Sequence, residues 1–506
     1  MAAGDERLFR FRPDDFARVR DVLRDAGYTD AGVVAVVGEG LGRLGARKIP
    51  PFLRRTSGGS RIETLIRLFI AGVAVTPDAA AAAVAPMTVG GWIDLGLLEA
   101  AGDDVRATVQ LRCFQELIVA YDFTRPVPGG GLAPDYVMGI SPSTLSLAAH
   151  TIRHPYRAAL DLGTGSGFHA LVAAGHCGRV VATDRNPRAV EITAFNAALN
   201  GLANVEARTG DLFEPVLGEQ FDLVISNPPF IISPDFKHLF LTTELKGDEL
   251  CQRLAREAPS YLTEGGWCQF LTNWAVLRGT GWDERVAGWF SAGGCDVWVN
   301  RKMTMRPDEY AAMWIETEDN DVDEFARFFD TWMAYYEEQA IEAVGFGLIT
   351  MRKRTDPRPN WFWADDVPDE ARWGAGADVE RCMLLHDFLE QVDDLTLLEA
   401  IVRLAPDARL ERESVIEDGQ WRTETARVVR QTGLGYSGSI DEFAAALLAS
   451  CAGGRAVRDV VATVSAEVGQ PAEAIVEGTL ANIRNLISRA ILVPDGIGLL
   501  PDGMSV

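Results

Sequence analysis

The chain lacks paired cysteines. Its seven cysteines stand at positions 113, 177, 251, 268, 295, 382 and 451. No two form a C-x-x-C pair, which argues against a structural zinc site or a disulfide framework and for buried free thiols. His150 and His154 are i, i+4 neighbours, and His169 and His176 flank the next helix, but no cysteine or acid stands at ligand spacing, so no metal is expected. No uncharged apolar run reaches the roughly 18 residues that a membrane span requires. The N-terminal stretch MAAGDERLFRFRPDD is charged where a secretory signal would be apolar, so a cytoplasmic protein is expected. Internal repeats and long low-complexity tracts are also missing.

Basic residues are in short supply. Lys and Arg total 48 against 72 Asp and Glu, a formal net charge of −24. Evenly spread, that charge would repel a phosphate backbone. The acids crowd into residues 301–400, however, whereas Arg43, Arg47, Lys48, Arg54, Arg55, Arg61 and Arg67 face only Glu63. This is the one stretch with a phosphate footprint, and a solvated helical surface is the plain alternative.

With 506 residues, 47% hydrophobic and 24% charged, the composition is that of a soluble globular protein of about three domains. Residues 1–137 read as mostly helical. Helices are expected from Pro13 to about Gly27, from Thr29-Asp30, over Ile62–Phe69, after Thr76-Pro77-Asp78 and over Thr88–Leu95. Alternation over Val105–Leu111 and an extended stretch over Cys113–Tyr121 then suggest one two-stranded ribbon, hence a winged-helix-like domain placed for substrate recognition. Pro126 to Gly131 is a loop into the next domain.

Residues 138–355 alternate strands and helices. Strands are expected at Ala158–Leu162, Arg179–Thr183, Val205–Thr209, Phe221–Ser226, Trp267–Leu271, Cys295–Val299 and Gly345–Met351, with an acidic helical insertion at about 306–343. Helices between the first five imply a mostly parallel, doubly wound sheet, which binds ligands at the carboxyl ends of its strands. Residues 356–506 form a third domain. From about 440 it resembles a second winged-helix-like unit, with helices Asp441–Ser450, Ala456–Val468 and Pro471–Arg489 and a short strand Ile491–Pro494. Trp361-Phe362-Trp363 reads as a packing anchor rather than a stacking platform.

Two motifs fall at strand ends. The first is Asp161-Leu162-Gly163-Thr164-Gly165-Ser166-Gly167. Glycine permits the unusual dihedrals of a tight strand-to-helix turn and lets a ligand approach the backbone. The spacing is G-x-G-x-G, whereas a dinucleotide site shows G-x-G-x-x-G. With Asp161 expected to meet an ammonium group, the ligand that fits is S-adenosylmethionine. Asp184, in Ala182-Thr183-Asp184-Arg185-Asn186-Pro187, ends the next strand and suits the two ribose hydroxyls of an adenosine. Asp211, in Thr209-Gly210-Asp211-Leu212-Phe213, ends the third and is expected at the adenine edge. Thr164, Asn186 and Leu212 complete the expected cofactor set. Each acid alone is more often a helix cap; three at successive strand ends behind a glycine run make the cap reading the weaker one.

The second motif is Asn227-Pro228-Pro229-Phe230, at the end of the fourth expected strand. An amide or base-amine nitrogen is a poor nucleophile because its lone pair is delocalised. Acceptors on its N–H bonds draw that pair out of conjugation and gain strength as positive charge develops. The Asn227 side-chain oxygen and the Pro228 carbonyl are such acceptors, with Asn227 also beside the cofactor. Pro228-Pro229 stiffens the turn, and Phe230 offers a flat face for a planar acceptor.

These stretches, with Asn196-Ala-Ala-Leu-Asn200-Gly201 and Phe221–Ile231, resemble the class I S-adenosylmethionine-dependent methyltransferases, specifically the HemK/PrmC-like and small-domain N-methyltransferases. The resemblance covers about 138–275. It implies a seven-stranded Rossmann-like core flanked by the two helical domains, S-adenosylmethionine as cofactor, and methyl transfer to a planar nitrogen. It also places Ser141-Pro142-Ser143 near the acceptor site. HemK-type enzymes, which methylate glutamine in translation release factors, usually carry tyrosine where this chain has Phe230; ribosomal-RNA guanine-N2 methyltransferases often carry phenylalanine. Phe230 and the basic 43–67 segment therefore favour an exocyclic base amine of rRNA or tRNA, which would have to be unstacked from its neighbours. A protein glutamine is the alternative acceptor, and a non-catalytic binding module a third reading that the intact Asn227 motif disfavours.

Overall fold

The computed structural model describes residues 9, 13–39, 49–124, 132–234, 245–290, 293–315, 321–367 and 373–497. Arg43, Arg47, Lys48 and the Pro126–Gly131 loop lie outside them. The chain forms two compact units. One comprises Met1–Leu147, His154–Val299 and Met303–Ala364; the other comprises Ala148–Arg153, Asn300–Lys302 and Asp365–Val506.

The first unit begins with helices α1 (Pro13–Asp25), α2 (Asp30–Val37), α3 (Ile49–Arg55), α4 (Arg61–Phe69), α5 (Pro77–Val84) and α6 (Val89–Asp94). Thr29, Ser60, Thr76 and Thr88 cap α2, α4, α5 and α6 through side-chain oxygens, as their place before apolar runs requires. Two hairpins follow, β1 (Leu98–Ala101) with β2 (Asp104–Ala107), and β3 (Gln110–Phe114) with β4 (Leu117–Tyr121). The single ribbon expected over 105–121 is thus two. The apolar alternation does not register the break at Thr108-Val109 or the turn at Gln115, where φ is 51°.

The core then runs α7 (Pro142–His150), β5 (Tyr156–Leu162), α8 (Phe168–Ala174), β6 (Cys177–Asp184), α9 (Pro187–Asn200), β7 (Val205–Thr209), β8 (Phe221–Ser226), α10 (Glu249–Glu257), β9 (Leu262–Leu277), α11 (Trp282–Ala287), β10 (Cys295–Met305), α12 (Pro307–Trp314), α13 (Val322–Glu338), β11 (Ile341–Lys353) and β12 (Phe362–Asp366). Among the described residues the sheet has eight strands rather than seven, in the order β12-β10-β11-β9-β8-β5-β6-β7. The additional edge strand is the Trp361-Phe362-Trp363 segment: the Trp361 carbonyl accepts from Val297 N–H at 3.0 Å, and Trp363 stacks on Trp298 at 4.5 Å. β7, β6, β5, β8 and β9 are parallel, and β11 is antiparallel to β9. From β5 the chain winds outward through β6 and β7, then crosses back to β8 and β9. The crevice where winding reverses lies between β5 and β8, which pair Leu162 with Ser226. Both motifs emerge there.

The N-terminal elements share a core with the sheet's helices. Phe9 stacks on Phe195 of α9 at 3.9 Å and Phe16 meets it edge-on at 5.1 Å. Two asparagines one turn apart on α9 then act as a substitute strand for β4. Asn196 Oδ1 accepts from Ala120 N–H at 2.7 Å and its Nδ2 donates to Ala120 O at 2.9 Å. Asn200 does the same with Ile118 N–H at 2.9 Å and Ile118 O at 2.7 Å. A strand edge that would be left unpaired is thereby satisfied by carboxamides.

The second unit holds α14 (Gly376–Gln391), α15 (Asp394–Glu399), β13 (Ile401–Leu404), a long hairpin of β14 (Ala408–Glu417) and β15 (Gln420–Arg430), β16 (Ser437–Ser439), α16 (Glu442–Ser450), β17 (Arg455–Ala456), α17 (Val457–Val468), α18 (Ala472–Ser488) and β18 (Leu492–Pro494). β13 pairs with both β17 and β18, so the small sheet beside α16–α18 draws a strand from well before residue 440. All seven cysteines are buried and free. Among the described residues no helix is long and apolar enough to cross a membrane, and no group of three or more His, Cys, Asp or Glu is placed to hold a metal.

Candidate active site

At the carboxyl ends of β5, β6, β7 and β8 lies a cavity of about 420 Å³, a volume in the range of small-molecule sites. Gly163, Thr164, Gly165, Asp184, Asn186, Asp211, Leu212, Asn227, Pro228 and Pro229 all line it.

The glycine turn is held from beneath. Gly163 and Thr164 both donate to Thr183 O at 2.9 Å, so the turn is sewn onto β6. Gly163, Gly165 and Gly167 have φ of 72°, 55° and 82°, which only glycine adopts freely. At Gly163 and Gly165 an added Cβ would meet nothing within 4 Å, so those positions leave open space on the cavity side; at Gly167 it would strike Thr193 at 2.9 Å. Asp184 Oδ2 accepts from Gly165 N–H and Oδ1 from Asn186 N–H, each at 2.9 Å. Each oxygen keeps a further lone pair toward the cavity it lines. Desolvation raises the Asp184 pKa, against the pull of those two N–H bonds. Asn186 caps α9, accepting from Arg188 N–H at 3.0 Å and donating to Asp135 O at 2.9 Å. Asp211 pairs with Arg253 at 3.2 Å, and Leu212 holds φ 43° at the cavity wall.

Three expected residues sit elsewhere: Gly167, packed against Thr193, does not line the cavity, nor do Asp161 and Phe230. Asp161 is 1% exposed and lies under the turn rather than at the cavity. Its Oδ2 accepts from Thr164 Oγ1 at 2.6 Å and Ala170 N–H at 3.0 Å, so it organises the loop and the start of α8. Burial pushes its pKa up to about 7, although both hydrogen bonds oppose the shift. Phe230, expected as a stacking plate, is half-buried between two hydrophobic clusters and is not among the lining residues. A phenyl ring following two prolines finds more apolar contact in the core than in the crevice.

Asn227 follows β8 directly. Its Nδ2 donates to Ser143 Oγ at 3.4 Å, and its buried Oδ1 has no partner among the described residues. An unpartnered buried acceptor is costly unless a ligand uses it. The pattern of residue types did not reveal the rest of the wall. Tyr136, Val137, Met138 and Gly139 line the cavity because Asp122 anchors them: it accepts from Val137 N–H at 2.9 Å and from Arg188 at 2.6 and 2.9 Å. Only Asp122, following an apolar strand, hints at this. Leu245, Leu250 and Arg253 also line the site, and nothing in their spacing marks them.

Comparison with known proteins agrees with this geometry. Residues 140–276 match the family described as methyltransferase small domain. Residues 25–108 and 381–494 each match a family described as a domain of unknown function. The sheet order and the crevice motifs, with that match, make the core a class I S-adenosylmethionine-dependent methyltransferase domain. The relatives that this domain is similar to include glutamine methyltransferases. The release factor glutamine methyltransferase of Xylella fastidiosa (strain 9a5c) is 39% identical over 146 residues, 26% of this chain and 49% of its own. The enzyme of the same name from Geobacter sulfurreducens is 35% identical over 162 residues, 29% of this chain and 55% of its own. The ribosomal protein uL3 glutamine methyltransferase of Bradyrhizobium diazoefficiens is 34% identical over 134 residues, 24% of this chain and 42% of its own. The chain thus spans about half the length of the curated relatives it matches. A solved methyltransferase from Pyrococcus furiosus aligns over 44% of this chain and 88% of its own at 17% identity and a TM-score of 0.26, too distant to inform function.

Proposed function

We propose that the protein is an S-adenosylmethionine-dependent N-methyltransferase whose acceptor is the side-chain amide of a glutamine in a protein of the translation machinery, acting in the cytoplasm. The observation that carries the reading is the unpartnered Asn227 oxygen beside an open glycine cradle. The names of the relatives favour a glutamine carboxamide over the base amine that Phe230 suggested. Three of the seven bases in the 43–67 segment also have other employment: Arg55 donates to Val37 O, Arg61 to Ala85 O, and Arg67 to Leu53 O and Thr56 Oγ1. A base amine in rRNA or tRNA remains the second reading, on Phe230 alone.

The residues present fit the cofactor. Asp184 would accept the ribose hydroxyls, Asp211 and Leu212 would border the adenine, and Gly163, Thr164 and Gly165 would face the remainder across the open side of their turn. Bound there, S-adenosylmethionine supplies an electrophilic methyl group. Asn227 Oδ1 and the Pro228 carbonyl would accept the two N–H bonds of the acceptor amide, fix its plane and draw its lone pair toward the donor. Neither group removes a proton. They raise the rate by holding the nitrogen in line, and the proton leaves to water once the nitrogen has become cationic. Ser143, by receiving Asn227 Nδ2, leaves the oxygen as the free end of that carboxamide.

The test incubates the full-length protein with methyl-labelled cofactor and, separately, a purified translation release factor, ribosomal proteins and tRNA or rRNA. Label recovered as N5-methylglutamine supports the proposal. Label confined to nucleic acid would replace it with the second reading.

A further inference from the structure

We infer that the α12–α13 insertion positions the acceptor clamp, through the hydroxyls of Tyr310 and Tyr336 on the backbone of Ile232. This rests on the acceptor role proposed for Asn227. The insertion lies beyond the residues that match the methyltransferase small domain, and its two helices follow β10 rather than the motif itself.

The clamp needs outside support. Pro228 and Pro229 carry no N–H, and after Ser226 the chain leaves the ladder that β8 shares with β5 and β9. Ile232, two residues past Phe230 and 0% exposed, then has both its backbone groups taken by the insertion. Its N–H donates to Tyr310 Oη at 3.0 Å, and Tyr336 Oη donates to its carbonyl at 2.9 Å. Tyr310 Oη is itself fixed by Asn273 Nδ2 of β9 at 2.8 Å, which refers the turn back to the sheet. Ile231, Ile232, Tyr310 and Tyr336 belong to one buried cluster, with Phe230 packed on its edge.

Packing alone does not call for the hydroxyls. Phenylalanine would fill the same volume without burying a polar atom, and burying a hydroxyl is favourable only where its hydrogen bonds are made. Here those bonds converge on one residue of the loop that carries Asn227. Transfer to a weak nucleophile is sensitive to sub-ångström placement of its acceptors. The two tyrosines are therefore positioning residues: they touch neither cofactor nor acceptor and set where Asn227 and Pro228 stand.

Tyr310→Phe, Tyr336→Phe and the double variant test this in the full-length protein. Hydrogen–deuterium exchange of the peptide containing Ile232 is expected to quicken at least tenfold in the double variant. With a purified release factor as acceptor, kcat should fall roughly 10- to 100-fold, as misplacement of a reacting group by about an ångström does, while the cofactor Kd stays within twofold. Val344→Ala, a cavity in the same cluster on β11, controls for plain destabilisation and should leave kcat within twofold. Unchanged exchange at Ile232, or a kcat loss matched by Val344→Ala, overturns the inference. If wild-type protein does not methylate the release factor, the proposed acceptor falls, and the exchange measurement still decides the role of the tyrosines.

Discussion

Replacing Asn196 with alanine should both loosen the first unit and weaken cofactor binding. Asn196 is 0% exposed. Its carboxamide joins three buried backbone groups: Ala120 N–H at 2.7 Å, Ala120 O at 2.9 Å and Ser166 O at 2.8 Å. Truncation strands all three. At about 1–1.5 kcal/mol for each hydrogen bond left unmade, the loss is roughly 3–5 kcal/mol. Asn200→Ala, half-buried and able to admit water to Ile118, should cost about 1–2 kcal/mol by the same reckoning. Asn196→Asp is isosteric but puts an acceptor oxygen in place of the donor that faces two carbonyls, so it should cost at least as much as alanine. Denaturant unfolding followed by circular dichroism measures the first effect as a lowered midpoint with little change in slope. Because Ser166 belongs to the glycine turn, calorimetric titration of S-adenosylmethionine should show affinity weakened by about tenfold, or about 1.4 kcal/mol. An Asn196→Ala protein within 1 kcal/mol of wild type, binding cofactor normally, would refute the view that α9 couples the N-terminal hairpin to the cradle.

Asp184→Ala should weaken S-adenosylmethionine binding by at least tenfold, since it removes a half-buried acceptor that lines the cavity and frees Gly165 N–H; unaltered affinity in the same titration would exclude the ribose assignment. Asp161 bears on pH. Its folded-state pKa near 7 lies above the ordinary carboxylate value, so the folded protein holds a proton that the unfolded chain releases, and stability contributed by the protonated group is lost as pH rises from about 4 to 7. Asp161→Asn keeps an acceptor for Thr164 and Ala170 without that titration, and its Tm relative to wild type should climb across that interval; a flat difference would contradict the burial-driven shift.

The core was legible where residue types are forced. β7 and β8 begin and end at the residues expected of them. The site was legible where strand ends carry acids and glycines. The support that Asp161 gives the turn was not foreseen, because a carboxylate beside a glycine run serves the loop's own N–H and hydroxyl donors as readily as a ligand; only its Oδ2 is so used. The β14–β15 hairpin escaped because its strands are exposed and charged on both faces, with only Asp418-Gly419 to mark the turn. The rest of the cavity wall, from Tyr136 to Gly139, depends on Arg188 reaching Asp122 across 66 positions, and no local pattern carries such a contact.

The most direct measurement is methyl transfer by Asn227→Ala in the full-length protein, read beside its affinity for S-adenosylmethionine. The expected result is a rate on a release factor at least about 100-fold below wild type, with cofactor Kd within twofold. Transfer at the wild-type rate, or a loss explained wholly by failure to bind cofactor, would contradict the role given to the Asn227 oxygen.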